Sequence, residues 1–226
     1  MNKQQTTKTI PPLENGDRLN RYEFELRYDA TPYLKKAELV EGVVYVPAAL
    51  RFRNHGQPHA NIMTWLGVYK VFTPGVELAD NPTVRLDLEN APQPDGVLLI
   101  NGGQTRISSD DYIEGAPELS VEIAASSAAY DLYDKKRASR RNGVQEYLVW
   151  RVYDGEFDWF CLEAGEYIKL EADINNVIRS KNFPGLWLGV SALLSGEMQQ
   201  VLAVVQEGLK TDEHQEFIGR IGNNKD

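Results

Sequence analysis

The stretch that decides the fold is "ELSVEIAASSAAYDLYDKKRASRRNGVQEYLVW", residues 118–150. It reads as strand, helix, strand. Leu119, Val121 and Ile123 alternate with Ser120, Glu122 and Ala124, the period-2 signature of a strand with one apolar face and one small, polar face. A basic helix follows, roughly Ala128 to Asn142, with Gly143 in a C-capping position before the apolar run "VQEYLVW". An ionised carboxylate inside such a strand costs on the order of several kcal/mol unless something pairs with it. Glu122 therefore needs a partner. On the helix, Ala128, Leu132, Lys135, Ser139 and Asn142 share one face through spacings of three and four, and Lys135 is the only charged residue among them. Lys136, Arg137 and Arg140 point elsewhere. The plain alternative for Lys135 is a stem packed on the core with its ammonium snorkelling to water.

Outward from this unit, "DRLNRYEFELRYDATP" predicts a short helix ended by Pro32, and "KKAELVEGVVYVPAAL" a strand running through Gly42. A helix is expected from Gln57 or Pro58, because Ile62, Trp65, Leu66 and Tyr69 form a one-sided apolar stripe. Three candidate strands follow, "VEL", "TVRLDL" and "DGVLLI". After the basic helix, "VQEYLVWRVY", "EFDWFCLE" and "EYIKL" predict a meander with turns at "DG" and "AG". "NNVIRSKNFPGLWLGVSALLS" predicts a strand and a Pro-Gly turn, and "GEMQQVLAVVQEGLK" a last helix. The expected organisation is a polar mobile leader over 1–18, one domain over 19–208 and a charged tail over 209–226. The expected class is α+β or mixed α/β, a sheet with helices packed on it.

The chain of 226 residues is long enough for one substantial core. Its longest apolar runs, such as "GVLLI" and "VLAVV", fall far short of the roughly 20 residues of a membrane-spanning helix. No apolar secretion core precedes them, and the single cysteine, Cys161, excludes an intramolecular disulfide and a cysteine-clustered zinc site. A cytoplasmic protein is expected. The net charge of −9 is local: residues 73–124 hold ten acids against Arg85 and Arg106, whereas the rest holds 22 basic and 23 acidic residues. This balance argues against avid non-specific duplex binding, which rests on phosphate neutralisation. It leaves room for a confined basic groove.

Asp95 in "QPDGVLLI" stands at the entry to an apolar strand, where Pro94 holds Gln93 extended. With Glu122 and Lys135 it forms a constellation of two carboxylates and an amine. Such a group suits a hard divalent cation and an activated water at a phosphorus centre. Glu41 can add a third oxygen or orient a water, and His59 can contact a phosphate or shuttle a proton. Each also has a plain reading: Asp95 as a turn residue, Glu41 as an exposed strand residue, His59 as a helix-start residue. Ser126 and Ser127 have no histidine base nearby in sequence. His55 and His59 are four apart, but Gly56 and Pro58 lie between them and argue against a helical metal pair. No glycine-rich phosphate loop is present.

"AELVEGVVY", His59, "PDGVLLI", "APELSVEIAASS", "YDLYDKK" and "NGVQEYLVW", in this order, resemble the Uma family of restriction-endonuclease-like proteins within the PD-(D/E)XK nuclease superfamily. The likeness runs from about Ala37 to Trp150 and loosely on to Leu170. It implies a restriction-endonuclease-like core: a mixed central sheet flanked by helices, with a metal at the sheet edge. It also implies that Asp95 and Glu122 hold the metal and that Glu41 and His59 occupy two further family positions. The lysine expected two residues after the glutamate is absent, since Ala124 stands there; in this family it comes from the following helix, where Lys135 fits. Ser139 replaces the tyrosine usual at its position.

The function implied is an endonuclease dependent on Mg²⁺ or Mn²⁺ that hydrolyses phosphodiester bonds in DNA. Lys136, Arg137, Arg140 and Arg141 are then candidates for backbone phosphates, within a stretch, Tyr130 to Arg141, of five basic and two acidic residues. A homodimer would supply two centres for a double-strand cut. Two other readings stand beside it: a binding or assembly module that kept the scaffold with little activity, and a hydrolase of small phosphoesters.

Overall fold

The structure is a computed structural model and describes residues 10–47, 49–125 and 128–222. Helix α1 (Arg21–Asp29) starts at Asn20, whose side-chain oxygen accepts from the Glu23 backbone N–H. Strands β1 (Glu38–Val40) and β2 (Val43–Tyr45) follow where one strand was expected. The reason is local. Val40 pairs with Val43, and the two residues between them, Glu41 (φ 52) and Gly42 (φ 71), both have positive φ, as a two-residue hairpin turn of type I′ requires. A π-helical turn, Phe52–Gly56, then leads into α2 (Gln57–Phe72), with Ile62, Trp65, Leu66 and Tyr69 buried as the stripe predicted.

The central sheet is built from β3 (Val76–Asp80), β5 (Gly96–Ile100), β8 (Leu119–Ala124), β9 (Glu146–Arg151), β10 (Glu156–Glu163) and β11 (Glu166–Lys169). Its spatial order is β11-β10-β9-β8-β5-β3. All neighbours are antiparallel except β8 and β9. Parallel neighbours need a long crossover. Here it is the helical stretch α3 (Ala128–Tyr130), a π turn Asp131–Lys135, and α4 (Lys136–Asn142), which Gly143 ends in the left-handed conformation. Short strands β4 (Val84–Arg85), β6 (Arg106–Ile107) and β7 (Ile113–Glu114) form a small side sheet, and β12 (Val177–Arg179) pairs with β13 (Trp187–Gly189). Helices α5 (Val190–Ser195), α6 (Met198–Gly208) and α7 (Asp212–Gly222) complete the chain.

The two faces of β8 are covered differently. Leu119, Val121 and Ile123 join the main core with side chains of α2, α5, α6 and α7. Ala124 joins Tyr147, Val149 and Phe160 on the other face, against Leu132 of the crossover. The small polar face is therefore buried too, and all six residues of β8 lie inside.

Both expected chain ends need correction. In place of the charged tail expected over 209–226, α7 buries His214, Phe217 and Ile221, because these positions share one helical face, and the last two join the main core. Residues 223–226 lie outside the described residues, as do 1–9 of the expected leader. Its later part is tied down: Leu13 is buried beside Phe24 and Leu39, and Arg18 bridges Val43. Among the described residues no helix is long and apolar enough to cross a membrane.

Candidate active site

Register brings Asp95 to Glu122. In the antiparallel β5–β8 pair Gly96 lies opposite Val121, so Asp95, one residue earlier, falls beside Glu122. The Asp95 Oδ2 accepts a 2.7 Å hydrogen bond from the Ile123 backbone N–H, which fixes the carboxylate to β8. Gly96 permits this close packing: a Cβ there would stand 3.1 Å from both Met63 Sδ and Val121 Cγ1. The other oxygen, Asp95 Oδ1, is buried and, among the described residues, makes no hydrogen bond. His55 Nε2 lies 3.4 Å from it and Lys36 Nζ 3.5 Å.

Lys135 ends the π turn with its side chain only 5% exposed, and its ammonium answers Glu122 directly. Lys135 Nζ donates to Glu122 Oε2 at 3.0 Å, lies 2.8 Å from Glu38 Oε1 and 3.5 Å from Asp131 Oδ1. Glu38 Oε1 also accepts from the Gln93 backbone N–H at 2.7 Å, which links β1 to the segment entering β5. Burial alone would lower the Lys135 pKa; attraction to Glu122, Glu38 and Asp131 outweighs it and holds the amine protonated well above its ordinary range. Burial drives the Glu122 pKa well up, repulsion from Asp131, Asp95 and Glu38 adds to the rise, and Lys135 opposes it. One ammonium shared among three acids explains why both directions hold together.

These groups open onto a cavity of about 750 Å³ whose lining includes Glu38, Asp95, Glu122, Asp131 and Lys135. The π turn matters here. It carries Asp131 and Lys135, an i,i+4 pair, and both are buried. Ser126 and Ser127 lie outside the described residues, as does the side chain of Ala128.

The remaining expected site residues sit elsewhere. Glu41 does not line the cavity: it is at the hairpin tip, with its carboxylate 3.0 Å from Arg141 Nη2 and 3.7 Å from Arg137 Nη2. Glu38, three residues earlier and not singled out from the sequence, takes the place by Lys135. His59 does not line the cavity either; its Nε2 is 3.1 Å from the Asp95 backbone oxygen and 3.0 Å from Asp80 Oδ1. It supports the Asp95 backbone rather than the carboxylate. His55 is the histidine that faces Asp95 Oδ1, with Nδ1 3.3 Å from the Ile123 oxygen and its ring stacked on His59 at 5.6 Å. The two histidines do not act as a metal pair: the π turn before α2 stacks their rings, but only His55 lines the cavity.

The four basic residues expected on phosphates are engaged within the chain. Lys136 lies 3.6 Å over the Phe160 ring. Arg137 pairs with Asp134 at 3.2 Å, Arg140 with Glu166 at 2.7 Å, and Arg141 with Glu41 and, at 3.7 Å, with Asp87.

Whether the cluster suits a divalent cation is a question of donors and charge. Among the described residues, no group of three or more His, Cys, Asp or Glu is assembled as a ready metal cage. The donor chemistry nonetheless fits: carboxylate oxygens are hard ligands, and buried Asp95 Oδ1 has no hydrogen bond. Four acids, Glu38, Asp95, Glu122 and Asp131, face two cations, Lys135 and Lys36, which leaves a formal excess of two negative charges.

The architecture is a mixed α+β fold, similar to a crystal structure from Anabaena variabilis described as "a putative nuclease belonging to DUF820", with a TM-score of 0.50 and 10% identity over 75% of this chain and 90% of that chain. At that identity the likeness is one of fold. No curated protein matches the chain. The family model described as "Uma2: Putative restriction endonuclease" matches residues 22–191. The chain belongs to the Uma2 family.

Proposed function

We propose that this protein is an endonuclease that hydrolyses phosphodiester bonds, with DNA as the polymer and Mg²⁺ or Mn²⁺ as the cofactor. The observation that supports this reading best is the buried Lys135 ammonium between Glu122 and Glu38, beside an Asp95 oxygen that faces the same cavity without a hydrogen bond. Asp95 and Glu122 are the residues that would hold the metal. When bound, the metal would supply positive charge at the phosphate and lower the pKa of a water. Lys135 brings a fixed positive charge, preorganised by three carboxylates, to where negative charge grows at phosphorus. Glu38 acts as a positioning residue through Lys135, and His59 through the Asp95 backbone. A double-strand cut would use two such centres, so a homodimer is part of the proposal.

The test is nicking of supercoiled plasmid in Mg²⁺ or Mn²⁺. Activity should be lost with Asp95→Ala and with Glu122→Ala; nicking that persists in both exposes a contaminant and removes the reading. A binding module with little catalysis is the second reading, supported by the pairing of Arg137, Arg140 and Arg141 with the protein's own acids. It predicts nucleic-acid or protein binding that survives Asp95→Ala with no metal-dependent turnover at any stage. Turnover of small phosphoesters without turnover of polymers would instead favour a small-molecule hydrolase.

A further inference from the structure

The same cavity has lining residues that the hydrolytic reading does not use. Beside the acids, its lining includes the aromatic and apolar Tyr45, Tyr130, Tyr153, Pro47 and Leu50 and the cations Lys35, Lys36 and Arg51; Lys36 Nζ is the one of these that reaches Asp95 Oδ1, at 3.5 Å, and the Tyr130 ring lies 5.5 Å from Lys135 Nζ. Tyr45 and Tyr130 pack with ring centroids 4.0 Å apart, and Tyr153 is 62% exposed, its hydroxyl accepting from Asn54 Nδ2 at 2.9 Å. Among the described residues Tyr130 Oη is buried without a hydrogen-bond partner, so the tyrosine lining, like Asp95, leaves a polar atom for a ligand to meet. Among the described residues Lys35 and Arg51 form no ion pair with the protein's acids, unlike Arg137, Arg140 and Arg141 of α4.

We propose that this lining receives the base of an unpaired nucleotide, so that the substrate is single-stranded DNA or a duplex opened at the site of cleavage. The inference rests on the nuclease reading of the cavity's acids and adds the form of nucleic acid taken. Three features point the same way. A stacked B-form duplex keeps its base faces inside and offers phosphates alone to a concave site, which gives tyrosine rings nothing to stack on. An unpaired base has a free π face, and aromatic side chains beside a cationic track are the usual means of holding one. The volume, about 750 Å³, lies within the range of small-molecule sites and is ample for one nucleotide. Charge agrees too. With a net charge of −9 the chain is ill suited to grip long duplex through phosphates, whereas Lys35 and Arg51 at one cavity suffice for the phosphates flanking one base.

Fluorescence anisotropy of a fluorescein-labelled oligothymidine against a blunt hairpin duplex, both in Ca²⁺ to limit turnover, tests this on the full chain. The single strand should bind more tightly. Tyr153→Ala should weaken it roughly tenfold, the effect of losing one base stack, with Tyr153→Trp restoring binding and the duplex affinity unmoved. Arg51→Ala should lower single-strand affinity and flatten its salt dependence. Tyr153 is exposed, so a melting curve equal to that of the unsubstituted chain serves as the folding control. Equal affinity for both forms, or a Tyr153→Ala chain that binds oligothymidine unchanged, overturns the proposal. The nuclease reading fails separately: selective single-strand binding without cleavage of any substrate in Mg²⁺ would keep the pocket and remove the enzyme. Cleavage of blunt duplex with no single-strand preference would do the reverse.

Discussion

Replacing Lys135 by methionine removes a buried charge while keeping most of the side-chain volume. Glu122, Glu38 and Asp131 then lose the ammonium at 3.0, 2.8 and 3.5 Å. Removing one partner of a buried ion pair costs about 3–5 kcal/mol. In a domain of this size about 1 kcal/mol moves the melting temperature by about 2–4 °C, so Lys135→Met should melt about 6–20 °C lower in EDTA. Two further signs distinguish an electrostatic cause from a packing defect. The loss should shrink on mild acidification, because Glu122 can take up the proton that its raised pKa already favours. The formal excess at the cluster also grows from two to three negative charges, so Mg²⁺ or Mn²⁺ should raise the melting temperature more in the variant than in the unsubstituted chain. The double variant Glu122→Gln with Lys135→Met should recover part of the loss. Differential scanning calorimetry across pH, with and without metal, reads all of this. A variant that melts with the unsubstituted chain in EDTA, or a double variant no better than the single, would refute the assignment of Lys135 as the counter-charge of Glu122.

Three other outcomes follow from particular contacts. Lys135→Ala should abolish plasmid nicking, whereas Lys136→Ala, which gives up a contact over Phe160, should leave it near normal; equal losses would contradict the placement of the two amines. Glu38→Gln should slow cleavage by about tenfold or more through a misplaced Lys135, and Glu41→Gln should leave the rate unchanged, since its partners are the half-exposed Arg137 and Arg141; parallel single-turnover rates decide between them. Burial holds the His214 imidazole below its ordinary pKa, with Nδ1 2.9 Å from the Leu209 oxygen and Nε2 3.0 Å from Thr73 Oγ1. The unfolded chain therefore binds the proton first, and stability should fall as pH drops from about 6.5 toward the lowered value. Melting curves of His214→Gln should lose that part of the acid sensitivity; an unchanged difference between the two chains would show that the ring is not buried neutral.

The acidic centre was legible in the sequence to the extent that local rules reach it. Period-2 alternation put Glu122 on the face of β8 away from Leu119, Val121 and Ile123, and helical spacing chose Lys135 over Lys136. Both statements concern side-chain direction within a single element, which backbone geometry settles. The identity of the upstream acid lay beyond them. "AELVEGVVY" contains two glutamates three residues apart, and only the pairing of Val40 with Val43 turns Glu41 outward at a positive-φ turn while Glu38 stays in the strand. The basic residues of α4 were equally hard to judge, because an arginine is free for a phosphate only if no acid from another element reaches it first. Glu41 and Glu166 come from 100 and 26 residues away to do so.

By itself, then, the sequence determined most of the elements, the helix between two strands and the demand that Glu122 be paired, but neither the turn between β1 and β2 nor α7. Periodicity and the cost of burying charge act within a few residues and carry that much. Tertiary structure alone decided which residues converge: Asp95 with the Ile123 N–H, Glu38 with Lys135, His55 with Asp95, and the tyrosines of the cavity with its acids. Those are contacts between segments far apart in the chain, set by strand register, by one π turn and by the packing of the crossover on β8. No local rule encodes them.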